Sequence, residues 1–214
     1  GAAQRLDHDW IKQHMPDDNS VIFTNLTNSM GVLVLAGPRS RDLLQKLTLT
    51  DLSTDDFPWL SAQMIDVNMA PSLAARVNFV GELGWELHHP VEYQNHIFDA
   101  LCEAGEEFNL KPFGIRAMDA MRLEKSYRMV GTEMSIEYAA FESGLDRFVH
   151  MQKPDFIGRD GLAACQENGF SNQFVTLGVQ NTDDADAIGG NPIYHNGALI
   201  GRATSGGYGF RIDR

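Results

Sequence analysis

The segment that most restricts the fold is GIRAMDAMRLEKSYR, residues 114–128. At a hundred degrees per residue, Ile115, Ala117, Met118, Ala120, Met121 and Leu123 fall on nearly every face of a helix, which predicts one that is mostly buried. The same helix carries Arg116, Asp119, Arg122, Glu124, Lys125 and Arg128. A charge in an enclosed place needs an opposite charge or a ligand. Asp119 and Arg122, three residues apart, are expected to pair, or Arg122 to meet a carboxylate from a strand. That leaves Arg116, Lys125 and Arg128 to face a ligand tail.

A chain of 214 residues with 43% hydrophobic content can bury a sizeable core as one large domain or two small ones. Seventeen Lys and Arg against twenty-nine Asp and Glu give a net charge of −12, which argues against bulk electrostatic binding of nucleic acid. An anionic ligand needs a local positive pocket in such a chain. No apolar run approaches the ~20 residues that cross a bilayer, and GAAQRLDHDW lacks the order of a signal peptide. The expected compartment is cytoplasmic. Cys102 and Cys165 have no CxxC or nearby His and are expected as buried free thiols.

In chain order, Ala2 to His14 reads as a helix with Leu6 and Trp10 on its apolar stripe, ended by Pro16. Val21–Leu26 and Val32–Ala36 read as strands, and Ser40–Leu47 as a helix burying Leu43, Leu44 and Leu47. Strands are expected at Gln63–Met69, Leu73–Phe79 and Glu82–His88, then a helix at Glu92–Ala104. That succession predicts an α+β fold with a ferredoxin-like split β-α-β arrangement. A helix follows at Arg159–Glu167, then strand character at Gln173–Gln180, the polar loop 181–191 and a hairpin at Pro192–Thr204 around His195-Asn196-Gly197.

In GELGWEL, residues 81–87, strand alternation places Glu82, Gly84 and Glu86 on one side and Trp85 and Leu87 on the other. Two carboxylates beside glycines at 81 and 84 suit the hydrogen-bonding edge of a flat pterin or purine; a solvated strand face is the plainer reading of the pattern alone. His88, His89 and His96 do not make a metal set, because adjacent strand residues point to opposite faces. SGGYG, residues 205–209, lacks the Lys-Ser/Thr of a phosphate loop and reads as a turn. No G-x-S-x-G elbow is present.

GELGWEL (81–87), RAMDAMRLEKSYR (116–128), GTE (131–133), ESGLDRFV (142–149) and DFIGRDGL (155–162), with LAGPRSRDLLQKLT (35–48) and RATSGGYG (202–209), resemble the folate-binding module of the glycine-cleavage T-protein family. Within it the form RLEKSYRMVGTE is similar to the C-terminal half of dimethylglycine and sarcosine dehydrogenases. The resemblance implies a folate-binding domain over 1–171 followed by the start of a small C-terminal β-barrel over 172–214. It also implies tetrahydrofolate as cofactor, a one-carbon unit derived from a methylated glycine, and FAD only in an upstream flavin domain of the parent protein.

Carried over by position, Glu86 stands where the family hydrogen-bonds the pterin ring. Phe79 stands where the family commonly has tyrosine, so that hydroxyl is missing. Met118 stands where the aminomethyltransferase branch has a folate-contacting arginine, which favours the amine-dehydrogenase branch. No residue here is assigned as catalytic: the family's aspartate belongs upstream of the region matching Ala2, and later barrel strands follow the region matching Arg214. A module cut at both ends is expected to expose sheet edges and to associate, for instance as a homo-oligomer.

Overall fold

The computed structural model describes residues 3–180 and 186–212. Helix α1, Gln4–Gln13, buries none of its residues: Leu6 and Trp10 stay 71% and 54% exposed, so the amphipathic stripe read in the sequence is not covered. The strand expected at 21–26 does not form. Val21, Ile22 and Leu26 are exposed and unpaired in any ladder, so β-propensity there has no neighbouring strand to act on.

Strand β1, Met30–Ala36, leads into helix α2, Ser40–Gln45, whose Leu43 and Leu44 are fully buried. The helix stops two residues short of expectation because Lys46 and Leu47 donate to Leu43 and Leu44, tightening the last turn. Gln45 then organises the following loop. Its Nε2 donates to Thr48 O and Thr50 O at 3.1 and 2.9 Å, and its Oε1 accepts from Leu52 N at 3.1 Å.

Strands β2, Ala62–Val67, and β3, Ala70–Ala75, form a hairpin in the register Val67↔Ala70. Its turn falls on Asn68 and Met69, at φ 48° and 68°, the two left-handed positions of a type I′ connection. Strand β4, Gly84–Pro90, pairs antiparallel with β3, and helix α3, Gln94–Gly105, buries Ile97, Ala100, Leu101 and Gly105. The sheet order is β1-β4-β3-β2. Strands β1 and β2, joined through α2, are therefore separated by two strands. Leu35, Ile65, Val67, Ala70, Ala74, Trp85 and Leu87 are buried on the sheet, while Val32, Val34, Met64 and Leu73 point to an open face.

By its internal packing the chain forms two compact units. The first comprises Gly1–Leu35, Arg41–Arg76 and Trp85–Phe108, and the second Ala36–Ser40, Val77–Gly84 and Asn109–Arg214. The second contains helix α4, Ile115–Glu124, helix α5, Arg159–Asn168, and the hairpin of β5, Pro192–His195, with β6, Ala198–Arg202. Asn196 and Gly197 both take positive φ, which closes the hairpin where the sequence placed it. Residues 173–180, expected as a strand, take no regular secondary structure and join no sheet; Phe174 N donates to Glu142 O at 2.8 Å, and Val175, Leu177 and Val179 are exposed. Part of the polar loop, 181–185, lies outside the described residues.

Helix α4 corrects the first expectation. Arg122 is its only buried residue and Ile115 is 75% exposed, so the helix is not wrapped in core. Cys102 and Cys165 are free, and both are half-buried rather than enclosed.

Candidate functional site

From Trp85 onward β4 alternates: Trp85, Leu87 and His89 are buried and Glu86 and His88 face the other way, while Gly84 at the start of the strand is itself buried. Glu86 lies opposite Ala75 and His88 opposite Leu73 on β3. The Glu86 carboxylate meets His88 through Oε2 and Nε2 at 3.3 Å, with both side chains about one-third exposed. Val32, Val34 and Leu73, between 40% and 46% exposed, give the same sheet face an apolar surface. A reachable carboxylate on an apolar strand surface can accept N–H donors from the edge of a ring that lies against it. His89, on the opposite face, is spoken for by Leu87 O and Gln94 Oε1, each 2.9 Å from a ring nitrogen. Among the described residues no three His, Cys, Asp or Glu side chains cluster as metal ligands.

Glu82 does not share this face. It precedes β4 in a loop that the Asn78 side chain captures: Oδ1 accepts from Val80 N at 3.0 Å and Glu82 N at 3.3 Å, and Nδ2 donates to Glu82 O. Its carboxylate pairs with Arg211. Gly81, at φ 69°, does not leave room for a ligand either. A Cβ there would fall 2.4 Å from Lys125 Cγ, so the glycine accommodates that lysine stem and the turn.

Phe79 and Met118 belong to the second unit, and Glu86 to the first. Phe79 packs on Tyr127 with ring centroids 6.4 Å apart, and Met118 is half-buried on α4. Neither supplies a strong hydrogen-bonding group. Arg128 is held by Ser126 O and Ser143 O and stacks on Phe174 at 4.3 Å, which takes it away from the ligand-tail role read in the sequence.

The most enclosed charge in the second unit is Arg122. Its Nε donates to Asp119 Oδ1 at 2.7 Å, as the spacing predicts, and its Nη1 to Tyr127 O at 2.9 Å and Glu133 Oε2 at 3.1 Å. Nη2 donates to Ser205 Oγ at 2.7 Å, and that hydroxyl donates to Glu133 Oε1 at 2.5 Å. Glu133 Oε2 also accepts from Met129 N and Thr132 Oγ1. Burial opposes the charged form of Glu133, but hydrogen bonds from Ser205, Thr132, Met129 and Thr204 outweigh it and pull the carboxyl down to about 2. Sequence reasoning assigned Arg122 a carboxylate but not Glu133 or Ser205. The signal was Glu133 in the GTE block, which sits in a turn, not on a strand.

Compared with known proteins, the GCVT N-terminal domain model matches residues 1–153. The chain belongs to the GCVT family. This GCVT chain is 40% identical over its whole length to human mitochondrial dimethylglycine dehydrogenase, of which it covers 25%. It is 30% identical to an aminomethyltransferase of Thermoanaerobacter pseudethanolicus, over 94% of the chain and 53% of the relative. It is 28% identical to the mouse mitochondrial pyruvate dehydrogenase phosphatase regulatory subunit, over 96% of the chain and 24% of the relative. The chain thus spans about a quarter of the dimethylglycine dehydrogenase it matches. No helix among the described residues is long and apolar enough to cross a membrane.

Proposed function

We propose that this chain is the tetrahydrofolate-binding, one-carbon-transfer module of a dimethylglycine/sarcosine dehydrogenase-like protein. The observation that carries the reading is Glu86, a carboxylate about one-third exposed on the apolar open face of the sheet, in a GCVT-family chain 40% identical to a dimethylglycine dehydrogenase. That face fits the group: the apolar strand residues offer a surface for the pterin ring, and Glu86 an acceptor for its N–H edge. When bound, tetrahydrofolate supplies two amine nitrogens that take up a formaldehyde equivalent as a methylene bridge, with loss of water. Glu86 contributes orientation, which holds the reacting nitrogens in place. Amine oxidation falls to a flavin domain of the dehydrogenase-like parent protein.

Calorimetric titration of tetrahydrofolate into the module joined to its flanking sequence tests this. Glu86→Ala weakens binding by the ~1.5–3 kcal/mol of a charged hydrogen bond. Equal affinity of a folded Glu86→Ala protein and the wild type defeats the assignment.

Two other readings rest on particular relatives. The aminomethyltransferase likeness supports ammonia release from a loaded lipoyl carrier protein, against which Met118 stands at the position of that branch's arginine. The likeness to a regulatory subunit supports a non-catalytic module, and absence of any folate binding in the completed protein would select it.

A further inference from the structure

A charge of −12 makes any concentration of positive charge notable, and the first unit contains one, with Arg41 close enough to Asp51 to favour its ionised form. Arg76, just beyond β3, is only 9% exposed, and no carboxylate forms a salt bridge with it among the described residues. Its Nη1 donates to Phe57 O and its Nη2 to Thr54 Oγ1 at 3.5 Å. Arg41, on α2, donates to the same Thr54 oxygen through Nη2 at 3.1 Å, and it too lacks a salt bridge among the described residues. The Nε of Arg41 and the Nε of Arg76 are both buried without any hydrogen-bond partner. Two charged groups that converge on one hydroxyl, each with a buried donor left without a partner, are a costly arrangement unless something not made of protein offsets their charge. Burial, and then the charge of Arg41, make Arg76 harder to keep protonated than an ordinary arginine.

Thr54 adds a third donor. A hydroxyl has two acceptor lone pairs and one proton; with the lone pairs facing Arg41 and Arg76, the proton is left to donate outward. Arg41 and Thr54 line a cleft of about 430 Å³ together with Gln45, Lys46 and Ser53. Lys46 brings a further positive charge, itself paired with Glu107. Asp42 and Asp51 line the same cleft and oppose an anion. Hydrogen bonds from Ser53, chiefly its backbone N–H at 2.7 Å, help hold Asp51 ionised below the ordinary aspartate range.

We propose that the cleft between α2 and the 51–54 turn binds a compact oxyanion, a phosphate or carboxylate group, on Arg41 and the Thr54 hydroxyl, with buried Arg76 supplying fixed positive charge behind them. Arg41 and Thr54 are the contacting residues. Arg76 acts through Thr54, which it orients. Asp42 and Asp51 keep the affinity modest.

Calorimetric titration of the chain with sodium phosphate and, separately, sodium acetate, at ionic strength held constant with sodium chloride, tests this. Saturable one-to-one binding of at least one of the two anions is expected, and comparing them tells which source of oxyanion the cleft prefers. Arg41→Gln, at a half-buried position that tolerates an uncharged amide, weakens that binding about 10–100-fold, the loss of a charged hydrogen bond. Thr54→Val weakens it less, and Asp51→Asn, which keeps an oxygen for Ser53 N but removes the facing charge, tightens it. No saturable heat with either anion overturns the proposal. So does unchanged affinity in an Arg41→Gln protein whose circular dichroism matches wild type.

Discussion

The two compact units are held together by different chemistry. Apart from Val80, the hydrophobic side chains buried among the described residues all belong to the first unit: Leu43, Leu44, Leu52, Phe57, Trp85, Leu87 and Ile97 form its centre. The second unit buries Arg122, Glu133 and Ser143 instead, and ties Ser205 into that network. Apolar burial is non-directional and insensitive to proton concentration. A buried ion pair stabilises only while both charges persist and every lone pair is satisfied. The difference teaches that the first unit should answer to volume and the second to pH.

Deleting volume should produce the largest effect. Trp85 is fully buried and packs on Phe57 with centroids 6.1 Å apart, so Trp85→Ala is expected to cost about 3–5 kcal/mol. Hydrogen exchange followed segment by segment should show residues 62–75 and 85–105 opening first. Equal loss of protection around Glu133 would break the contrast.

Acid should do the reverse. Glu133 is pulled below its ordinary value of 4.5 to about 2, so its contribution is complete above about pH 4.5 and is lost as pH falls towards 2. The shift corresponds to on the order of 3 kcal/mol. Protection at residues 122–134 and 203–207 is expected to fall in that window before protection in α3. Glu133→Gln should flatten the acid response of that segment at the expense of its stability at neutral pH.

The smallest expected effect sharpens the comparison from within the apolar unit. Gln45 is an exposed helix-end residue whose amide bridges three backbone groups of the 48–52 loop. Gln45→Ala should cost about 1–2 kcal/mol by thermal melting, without pH dependence between 4 and 8. A loss comparable to Trp85→Ala would mean that polar struts also govern the first unit.

The family is legible in the sequence because its blocks are local strings of residues whose order survives any folding. So are the elements whose periodicity is strong: the alternation of Trp85, Leu87 and His89 against Glu86 and His88 follows from the pleat of a strand alone. The Asp119–Arg122 pair was legible for the same reason, since three residues along a helix bring two side chains together. Glu82 was misread because a captured loop interrupts the alternation just before β4, and the Asn78 side chain that captures it leaves no periodic trace.

What the tertiary structure alone decided lies between residues far apart in the chain. Helix α4 reads as buried by composition, yet only Arg122 is enclosed, because its carboxylate and hydroxyl partners come from residues 133 and 205. Likewise Arg41 and Arg76 are unremarkable in the sequence. Their meeting at Thr54, with two buried donors left over, exists only once α2, the 51–57 loop and the end of β3 have packed. Local pattern fixes which face a side chain takes, whereas the partner of a buried charge is set by long-range packing, which no window of sequence contains.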